Sequence, residues 1–293
     1  MVTIKKNIGI IGLGAMGSAI SSRLINCGFT IIGYDINPNY HVNTGVNFVK
    51  SAKEVGELCE IVIGCVVTPE SYRSALLGEE GLSHGSKLKY YVHIGTSGAN
   101  LVKEISKALK KGVVTLDAPI TGGIHRASQG KLTVITSGPL AALKYVNYIF
   151  KCYANKIVFI SEYVGEAQTV KLINNFLSAA NLAVASEALF FGIKKGIDPG
   201  KILEVVNTGT GQSDASLNKI GPYVITKKFN YGGSMRVSIK DLGEYYKETN
   251  ELSSPNLFAT AVNDIYNKAA NNGYIDGDIT HIAKYIEDVF NSK

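Results

Sequence analysis

The sequence predicts an α/β domain followed by an all-α C-terminal domain, the two linked by a long helix. In the first half of the chain, strand-like and helix-like segments alternate, a pattern typical of a parallel sheet with helices on both faces. After Ser161 this alternation stops, and the segment from Gly165 to Gly196 has apolar residues at helical spacing. These two observations predict one domain at residues 1–163 and a helical domain at residues 164–293.

The strands of the first domain are predicted from short apolar runs. The runs are Lys6–Ile11, Thr30–Tyr34, Ile61–Val67, Tyr90–Ile94, Val113–Leu116, Leu132–Thr136 and Ile157–Ile160. Between the first two runs, apolar residues from Ala19 to Ile25 recur at helical spacing, and Gly28 is placed to end that helix. Ala99–Lys110 predicts another helix.

The long helix is predicted from a segment that contains no proline and only one internal glycine, Gly192. Its periodic apolar residues are Val170, Ile173, Phe176, Leu177, Ala180, Val184 and Leu189. At about 1.5 Å per residue, a helix of roughly 30 residues extends roughly 45 Å. The remainder is predicted as helices with loops near Thr208–Ser216 and Asn230–Ser234.

Composition narrows the class of protein. The chain has 293 residues, 45% of them hydrophobic, which suits two ordinary domains. The sequence has no run of 18 apolar residues to suggest a membrane span and no signal-peptide pattern, so we expect a cytoplasmic protein. The net charge is +6, but the lysines are dispersed, so we expect no nucleic-acid partner.

The cysteines predict neither a disulfide nor a metal site. Cys27, Cys59, Cys65 and Cys152 form no CxxC pair and do not cluster with histidine. Buried thiols are therefore expected, and no metal is predicted.

A glycine-rich turn follows the first predicted strand and opens a helix. It reads Gly12-Leu13-Gly14-Ala15-Met16-Gly17. In a GxGxxG turn the first glycine permits the tight turn, the second lets backbone approach a pyrophosphate, and the third lets helix and strand pack closely. The helix N-terminus offers unpaired N–H groups to the phosphates. This context predicts a Rossmann dinucleotide-binding domain.

Asp35 lies at the end of the next predicted strand. A carboxylate there accepts hydrogen bonds from the adenosine ribose hydroxyls and repels a 2′-phosphate. The residues that follow, Ile36 to Pro38, include no arginine. The sequence therefore favours NAD as cofactor, with NADP as the alternative.

Thr121, Gly122 and Gly123 place a hydroxyl and two glycines after a predicted strand. Backbone N–H groups in such a turn can bind a carboxylate. An ordinary structural turn explains the same residues equally well, so the assignment stays open at this point.

One face of the long helix presents Lys171, Asn174 and Asn175 at positions i, i+3 and i+4. An ammonium beside two amides in an apolar segment indicates chemistry, and a solvated surface lysine is the alternative. Lys240-Asp241 gives a weaker signal, because such pairs are usually surface charge.

Four blocks in order along nearly the whole chain resemble the β-hydroxyacid dehydrogenase family. That family includes 3-hydroxyisobutyrate dehydrogenase and tartronate semialdehyde reductase, and it is related to 6-phosphogluconate dehydrogenase. The blocks are Gly12–Gly17, Asp117–Gly123 with Gly130–Thr133, Lys171–Asn175 and Ile239–Leu242.

The resemblance implies hydride transfer between NAD(P) and a small β-hydroxy acid or its semialdehyde. It implies that Lys171 is the general acid/base, that Asn175 beside Asn174 holds the substrate, and that Thr121, Gly122 and Gly123 bind the substrate's carboxylate side. The further cofactor contacts it implies are Val66, Val67, Thr96 and Lys240. It also implies a homodimer or homotetramer built largely through the helical domain.

Some positions depart from the family pattern. Thr121 replaces the usual serine, and His93 and Gly95 stand where the family often has an aspartate and a serine. Arg126 is either a contact for an acidic substrate or an ordinary surface residue. Two rival readings remain: an imine reductase of the same architecture, against which Lys171 argues, and a dinucleotide-binding sensor without turnover.

Overall fold

The structure, a computed structural model, describes residues 7–40 and 45–292. Its described residues form two compact units, one ending at Lys171 and the other beginning at Leu172. The boundary predicted at residue 163 stays a prediction. Lys6, the first residue of the first predicted strand, lies outside the described residues.

The first unit is built on one mixed sheet. Its strands are β1 (Asn7–Ile11), β2 (Thr30–Tyr34), β3 (Val46–Phe48), β4 (Ile61–Gly64), β5 (Tyr90–His93), β6 (Val114–Asp117), β7 (Ile120–Thr121), β8 (Leu132–Ser137) and β9 (Ala154–Ser161). The first six are parallel in the order β3-β2-β1-β4-β5-β6. This is the Rossmann order, and the predicted fold class is confirmed.

The far side of the sheet departs from a purely parallel arrangement. Strand β8 pairs antiparallel with β6 and β7, and β9 pairs parallel with β8. The last residue of β8, Ser137, is opposite Asp117, the last residue of β6, and the start of β8 extends beyond this edge beside β7. Thr121, the last residue of β7, is opposite Thr133 there. The two last predicted strands do extend the sheet, as expected.

Helices cover both faces because alternate residues of each buried strand point to opposite sides. The helices are α1 (Ala15–Asn26), α2 (Ala52–Leu58), α3 (Pro69–Leu77), α4 (Ala99–Ala108), α5 (Gly123–Ser128) and α6 (Leu140–Tyr153). Ile8 and Ile10 belong to the core under α1 and α6. Ile11 and Val62 belong to the core under α2, α3 and α4.

The second unit is helical. It contains most of α7 (Glu166–Lys194), then α8 (Pro199–Thr208), a π-helical segment at Ser216–Ile225, α9 (Met235–Glu251), α10 (Leu257–Ala269), a short π-helical segment at Ala270–Tyr274, and α11 (His281–Asn291). Its core gathers around Leu182, Leu189, Ile220, Tyr266 and Ile282, each at most 2% exposed.

Helix α7 is long and apolar enough to cross a membrane, judged by length and composition alone, although 39% of its most apolar window is buried. Leu182 and Leu189 are buried in the core of the second unit. Leu177, Val184 and Phe191 are 51%, 66% and 58% exposed. Because these three residues are seven apart, they form one apolar stripe along the helix.

The first turn of α7 obtains its hydrogen-bond acceptors from the sheet. The amide of Ala167 donates to Ser137 Oγ at 3.0 Å, and that of Gln168 donates to Asp117 Oδ2 at 3.0 Å. First-turn amides have no acceptor within their own helix. A carboxylate at the positive end of a helix is also electrostatically favourable. Asp117 and Ser137 thus act as a cap supplied from distant sequence.

Asp117 is fully buried, and this has a consequence for its protonation. Burial raises its pKa from 3.8 to about 7, while hydrogen bonds from Gln168 and Ser137 act in the opposite direction. Between about pH 4 and pH 7 the folded protein keeps a proton that the unfolded chain has released. The stabilising contribution of the protonated carboxyl is therefore complete below this window and lost as pH rises through it.

Asp117→Asn should remove this pH dependence, because the amide has no proton to lose. The difference in the free energy of unfolding, variant minus wild type, should rise from pH 4 to pH 7 and then level off. Urea unfolding at several pH values measures it. A difference that stays constant or falls across the window would contradict the assignment.

Candidate active site

The glycine turn after β1 has the geometry that dinucleotide binding requires. Gly12 has a φ of +93°, and a Cβ there would lie 2.3 Å from the carbonyl oxygen of Cys65. A Cβ on Gly17 would lie 2.0 Å from the carbonyl oxygen of Gly12. A Cβ on Gly14 would meet nothing within 4 Å. Two glycines are therefore needed by the fold, and the third faces open space, as expected of a residue that lets backbone approach a pyrophosphate.

The N-terminus of α1 adjoins this turn. Gly14 is the N-cap residue, it provides no side-chain cap, and the first turn, which includes Ala15 and Met16, contains no acidic residue. The positive end of the helix and its first amides therefore suit an anionic group. Leu13 is fully buried and anchors the turn in the core.

Asp35 is held at the end of β2 by two backbone amides. Leu13 N donates to Oδ2 at 2.6 Å, and Asn37 N donates to Oδ1 at 2.9 Å. Asp35 also lines a cavity of about 480 Å³. The carboxylate is thus fixed beside the glycine turn, where an adenosine ribose would be recognised.

Lys50 lines the same cavity and was missed by the sequence analysis. It follows β3, a three-residue strand paired with β2. A lysine is a cation that a 2′-phosphate could use, so the cavity carries one group that disfavours NADP and one that favours it. The sequence alone does not show that Lys50 is near Asp35, because this proximity depends on the pairing of β3 with β2.

The other predicted cofactor contacts of the first unit follow β4 and β5. Val66 and Thr96 are half-buried, and Val67 is 58% exposed. In open α/β sheets ligands bind outside the carboxyl ends of the strands. The structure therefore places these residues at the same edge of the sheet as the glycine turn.

The loop that carries Thr96 is anchored by His93, one of the departures from the family pattern. His93 is fully buried; its Nδ1 lies 3.0 Å from the Tyr91 hydroxyl and its Nε2 lies 2.8 Å from Ser97 Oγ. The Tyr72 ring packs against His93 at a tilt of 32°, with ring centroids 4.1 Å apart. A buried imidazole therefore fixes the hydroxyl of Ser97, one residue beyond Thr96.

The Thr121-Gly122-Gly123 turn ends β7 and begins α5. Gly122 and Gly123 have φ angles of +131° and +71°, which disfavour residues with a Cβ. Arg126 is exposed, and a Cβ on Gly122 would lie 3.1 Å from its Cδ. At these two glycines a ligand can approach the backbone closely, as carboxylate binding requires.

Lys171 lies on α7 and is only 8% exposed. A buried lysine is unusual unless it is paired or functional. The structure therefore excludes the alternative that Lys171 is a solvated surface lysine.

The amides that follow Lys171 lie in the second unit and are oriented by Asp241. Asn175 Nδ2 donates to Asp241 Oδ2 at 2.6 Å, and Asn174 Nδ2 donates to Asn175 Oδ1 at 3.2 Å. Lys240 Nζ lies 2.7 Å from Asp241 Oδ1. Asp241 is 5% exposed. The sequence analysis treated Lys240-Asp241 as a weak signal, whereas the aspartate joins two predicted site residues.

Comparison with known families agrees with this geometry. A family model described as the NAD binding domain of 6-phosphogluconate dehydrogenase matches residues 7–162. A second, described as NAD-binding of NADP-dependent 3-hydroxyisobutyrate dehydrogenase, matches residues 165–286. The chain belongs to the β-hydroxyacid dehydrogenase family.

Individual members of the family are similar over almost their whole length. L-threonate dehydrogenase of Cupriavidus necator is 27% identical, with 96% of each chain covered. Human mitochondrial 3-hydroxyisobutyrate dehydrogenase is 27% identical over 98% of this chain and 88% of its own. The crystal structure of 3-hydroxyisobutyrate dehydrogenase from Salmonella typhimurium has a TM-score of 0.84, 27% identity, and coverage of 96% and 99%.

Imine reductases are more distant. The enzyme of Myxococcus stipitatus in complex with NADP+ is 16% identical with a TM-score of 0.64, covering 96% of this chain and 99% of its own. That likeness is one of fold alone. The predicted resemblance is confirmed, and the chain is an NAD(P)-dependent oxidoreductase of the hydroxyacid dehydrogenase class, acting on CH–OH.

Asp35→Asn tests the assignment of the ribose site. Asparagine keeps an acceptor for the Leu13 amide but removes the charge that repels a 2′-phosphate. Hydrogen bonds to a charged group contribute about 1.5–3 kcal/mol, so we expect the Kd for NADH to rise roughly 10- to 100-fold. The Kd for NADPH should fall or stay the same. Fluorescence titration measures both values.

Lys50→Ala is the complementary variant. It should weaken NADPH binding and leave NADH binding nearly unchanged. Equal effects of Asp35→Asn on the two dinucleotides would rule out this placement of the ribose.

Proposed function

We propose that the protein transfers a hydride between NAD(P) and a small β-hydroxy acid or its semialdehyde, with Lys171 as the general acid/base. The observation that carries the proposal is a buried lysine on α7, within the same compact unit as the glycine turn. The names of similar proteins, L-threonate dehydrogenase and 3-hydroxyisobutyrate dehydrogenase, support a hydroxy acid of three or four carbons in the main chain.

The cofactor would be held by the glycine turn and Asp35. The residues proposed to contact it are Gly12, Leu13, Gly14, Ala15, Met16, Gly17, Asp35, Val66, Val67, Thr96 and Lys240. When bound there, the nicotinamide would supply the hydride acceptor for oxidation and the hydride donor for reduction. We propose NAD as the preferred form because Asp35 is fixed in place by two amides, with NADP as the alternative because of Lys50.

Lys171 accepts or donates the proton that accompanies hydride transfer. In oxidation its neutral amine takes the proton of the substrate hydroxyl at Nζ as the carbonyl forms. In reduction its ammonium donates that proton to the carbonyl oxygen. A free lysine has a pKa near 10.4, so donation is available at neutral pH, and reduction of an aldehyde acid is chemically easy.

The substrate would be positioned by amides at its reacting end and by a turn at its carboxylate. Asn175 uses one amide hydrogen on Asp241, which leaves the second for a substrate oxygen. Asn174 in turn donates to Asn175. The backbone N–H groups of Thr121, Gly122 and Gly123 suit the carboxylate, and a Cβ on Gly123 would meet nothing within 4 Å, so the backbone is open at that residue.

Lys171→Ala tests the proposal. General acid–base catalysis contributes roughly 10²- to 10⁴-fold, so kcat should fall at least about 100-fold while the Kd for NADH stays within about twofold. The measurement is a spectrophotometric screen of three- and four-carbon hydroxy acids and semialdehydes with NAD(H) and NADP(H).

Lys144→Ala, at an exposed lysine on α6, is the matched control and should behave as wild type. A Lys171→Ala variant that keeps most of its activity would remove the proposed role. A wild-type protein that binds dinucleotide but oxidises or reduces none of these compounds would favour the non-catalytic sensor.

We further propose that the protein is a cytoplasmic homodimer or homotetramer with no membrane or nucleic-acid partner. The apolar stripe of Leu177, Val184 and Phe191 supports this, because large exposed apolar patches usually mark interaction surfaces. Leu182 and Leu189 of the same helix are buried in protein, which favours a core helix over a membrane span.

Val184→Glu should weaken the oligomer, because it places a charge in the centre of the stripe. Light scattering after size exclusion should give about two or four chain masses for wild type and a lower mass for the variant. Lys284→Glu, at an exposed position of α11, is the control for the change in charge. A wild-type protein that remains a single chain at micromolar concentration would refute the oligomer.

A further inference from the structure

Gln168 lies one helical turn before Lys171 on α7, and no family motif used above includes it. It is fully buried. A glutamine is buried at this level only when its amide is well hydrogen-bonded, because an unpaired buried amide is costly. Its partners therefore indicate what holds this part of the helix.

The amide of Gln168 brackets Thr96 from both sides. Ser97 N donates to Gln168 Oε1 at 2.9 Å, and Gln168 Nε2 donates to the carbonyl oxygen of Gly95 at 3.0 Å. One side chain thus pairs with the backbone immediately before and immediately after the proposed cofactor contact. The loop can shift relative to α7 only if both hydrogen bonds break.

The remaining hydrogen of the amide goes to Asp117. Gln168 Nε2 donates to Oδ1 at 2.7 Å, while the backbone amide of the same residue donates to Oδ2 at 3.0 Å. Both amide hydrogens and the amide oxygen are therefore used. Gln168 is held at one place along the end of β6 and at another along the loop after β5.

We propose that Gln168 is a positioning residue, which fixes the Lys171 amine in register with the cofactor-contacting loop at Thr96. Residues at i and i+3 share a helix face, so the placement of Gln168 determines where the next turn presents Lys171. Hydride and proton transfer need both partners in place together, and displacements near 1 Å reduce rates strongly. This inference rests on the proposed function of Lys171.

Gln168→Met, which keeps the length and removes the polar atoms, is the main test. We expect kcat to fall roughly 10- to 100-fold, with the substrate KM and the Kd for NADH within about threefold of wild type. Ser137→Ala is the matched control: it removes two hydrogen bonds at the same helix start, one from the Ala167 amide and one to Asp117, but leaves the Gln168 hydrogen bonds with Gly95 and Ser97 in place. It should keep kcat within about twofold.

Hydrogen exchange of the protein without cofactor gives a readout that is independent of turnover. The amide of Ser97 should exchange faster in Gln168→Met than in wild type or Ser137→Ala, because its acceptor is gone. Unchanged protection of this amide would show that the Gln168 side chain does not hold the loop at Ser97.

Gln168→Glu covers the case in which Gln168→Met does not fold. Glutamate keeps the acceptor for Ser97. When it is ionised it donates no hydrogen bond and is repelled by an ionised Asp117, whereas its protonated form regains one of the two hydrogen bonds that the amide donates. The ratio of its kcat to that of wild type should therefore increase as pH is lowered from 8 to 6. A flat or opposite trend would overturn the proposal.

The two proposals fail in different ways. If wild type transfers no hydride with any compound of the screen, the proposed function fails. If wild type turns over and both Gln168 variants keep its kcat, only the positioning role fails. Equal loss of kcat in Gln168→Met and Ser137→Ala would reduce Gln168 to a structural residue and overturn the inference.

Discussion

The buried hydrogen bonds between Asp117 and the start of α7 are the constraint on which the arrangement of the site depends. A helix of 29 residues presents a strong positive end, and burying it without acceptors would cost several hydrogen bonds. Asp117 and Ser137 supply those acceptors from β6 and β8. Through the hydrogen bonds from Gln168 to Asp117, the position of Lys171 is set by the sheet as well as by its own helix.

The proposed cofactor contacts of the first unit gather at one edge of the sheet because all the parallel strands end there. The glycine turn follows β1, Asp35 follows β2, and Thr96 follows β5, so one fold rule gathers residues far apart in sequence. The polar network of His93, Ser97 and Gln168 then fixes the loop after β5. In the second unit Asp241 performs a similar task, since it orients Asn175 and contacts Lys240.

Much of this could be predicted from the sequence. Strand β2 begins and ends where its apolar run predicted, and α7 lies within the segment between Gly165 and Gly196. Buried parallel strands and a long uninterrupted helix leave strong local patterns. The surroundings of Gly12 and Gly17 show the tight turn and the close packing predicted for them, because both follow from local backbone geometry.

What the sequence could not show depends on contacts between distant residues. Strands β3 and β7 have three and two residues, too few for a periodic pattern. Lys50 reaches the cavity lined by Asp35 only through the pairing of β3 with β2. Asp241 looked like surface charge because its partner Asn175 is 66 positions earlier. Gln168 carried no local signal, since all its side-chain partners lie on other elements.

The distant origin of the α7 cap also has a consequence for how the chain assembles during synthesis. Asp117 and Ser137 precede the helix in sequence, so both acceptors have left the ribosome before the amides of Ala167 and Gln168 emerge. Domains generally fold as units from the N-terminus onward. The turn that carries Lys171 can therefore dock onto a finished sheet as it appears, and it need not wait for the last helices of the chain.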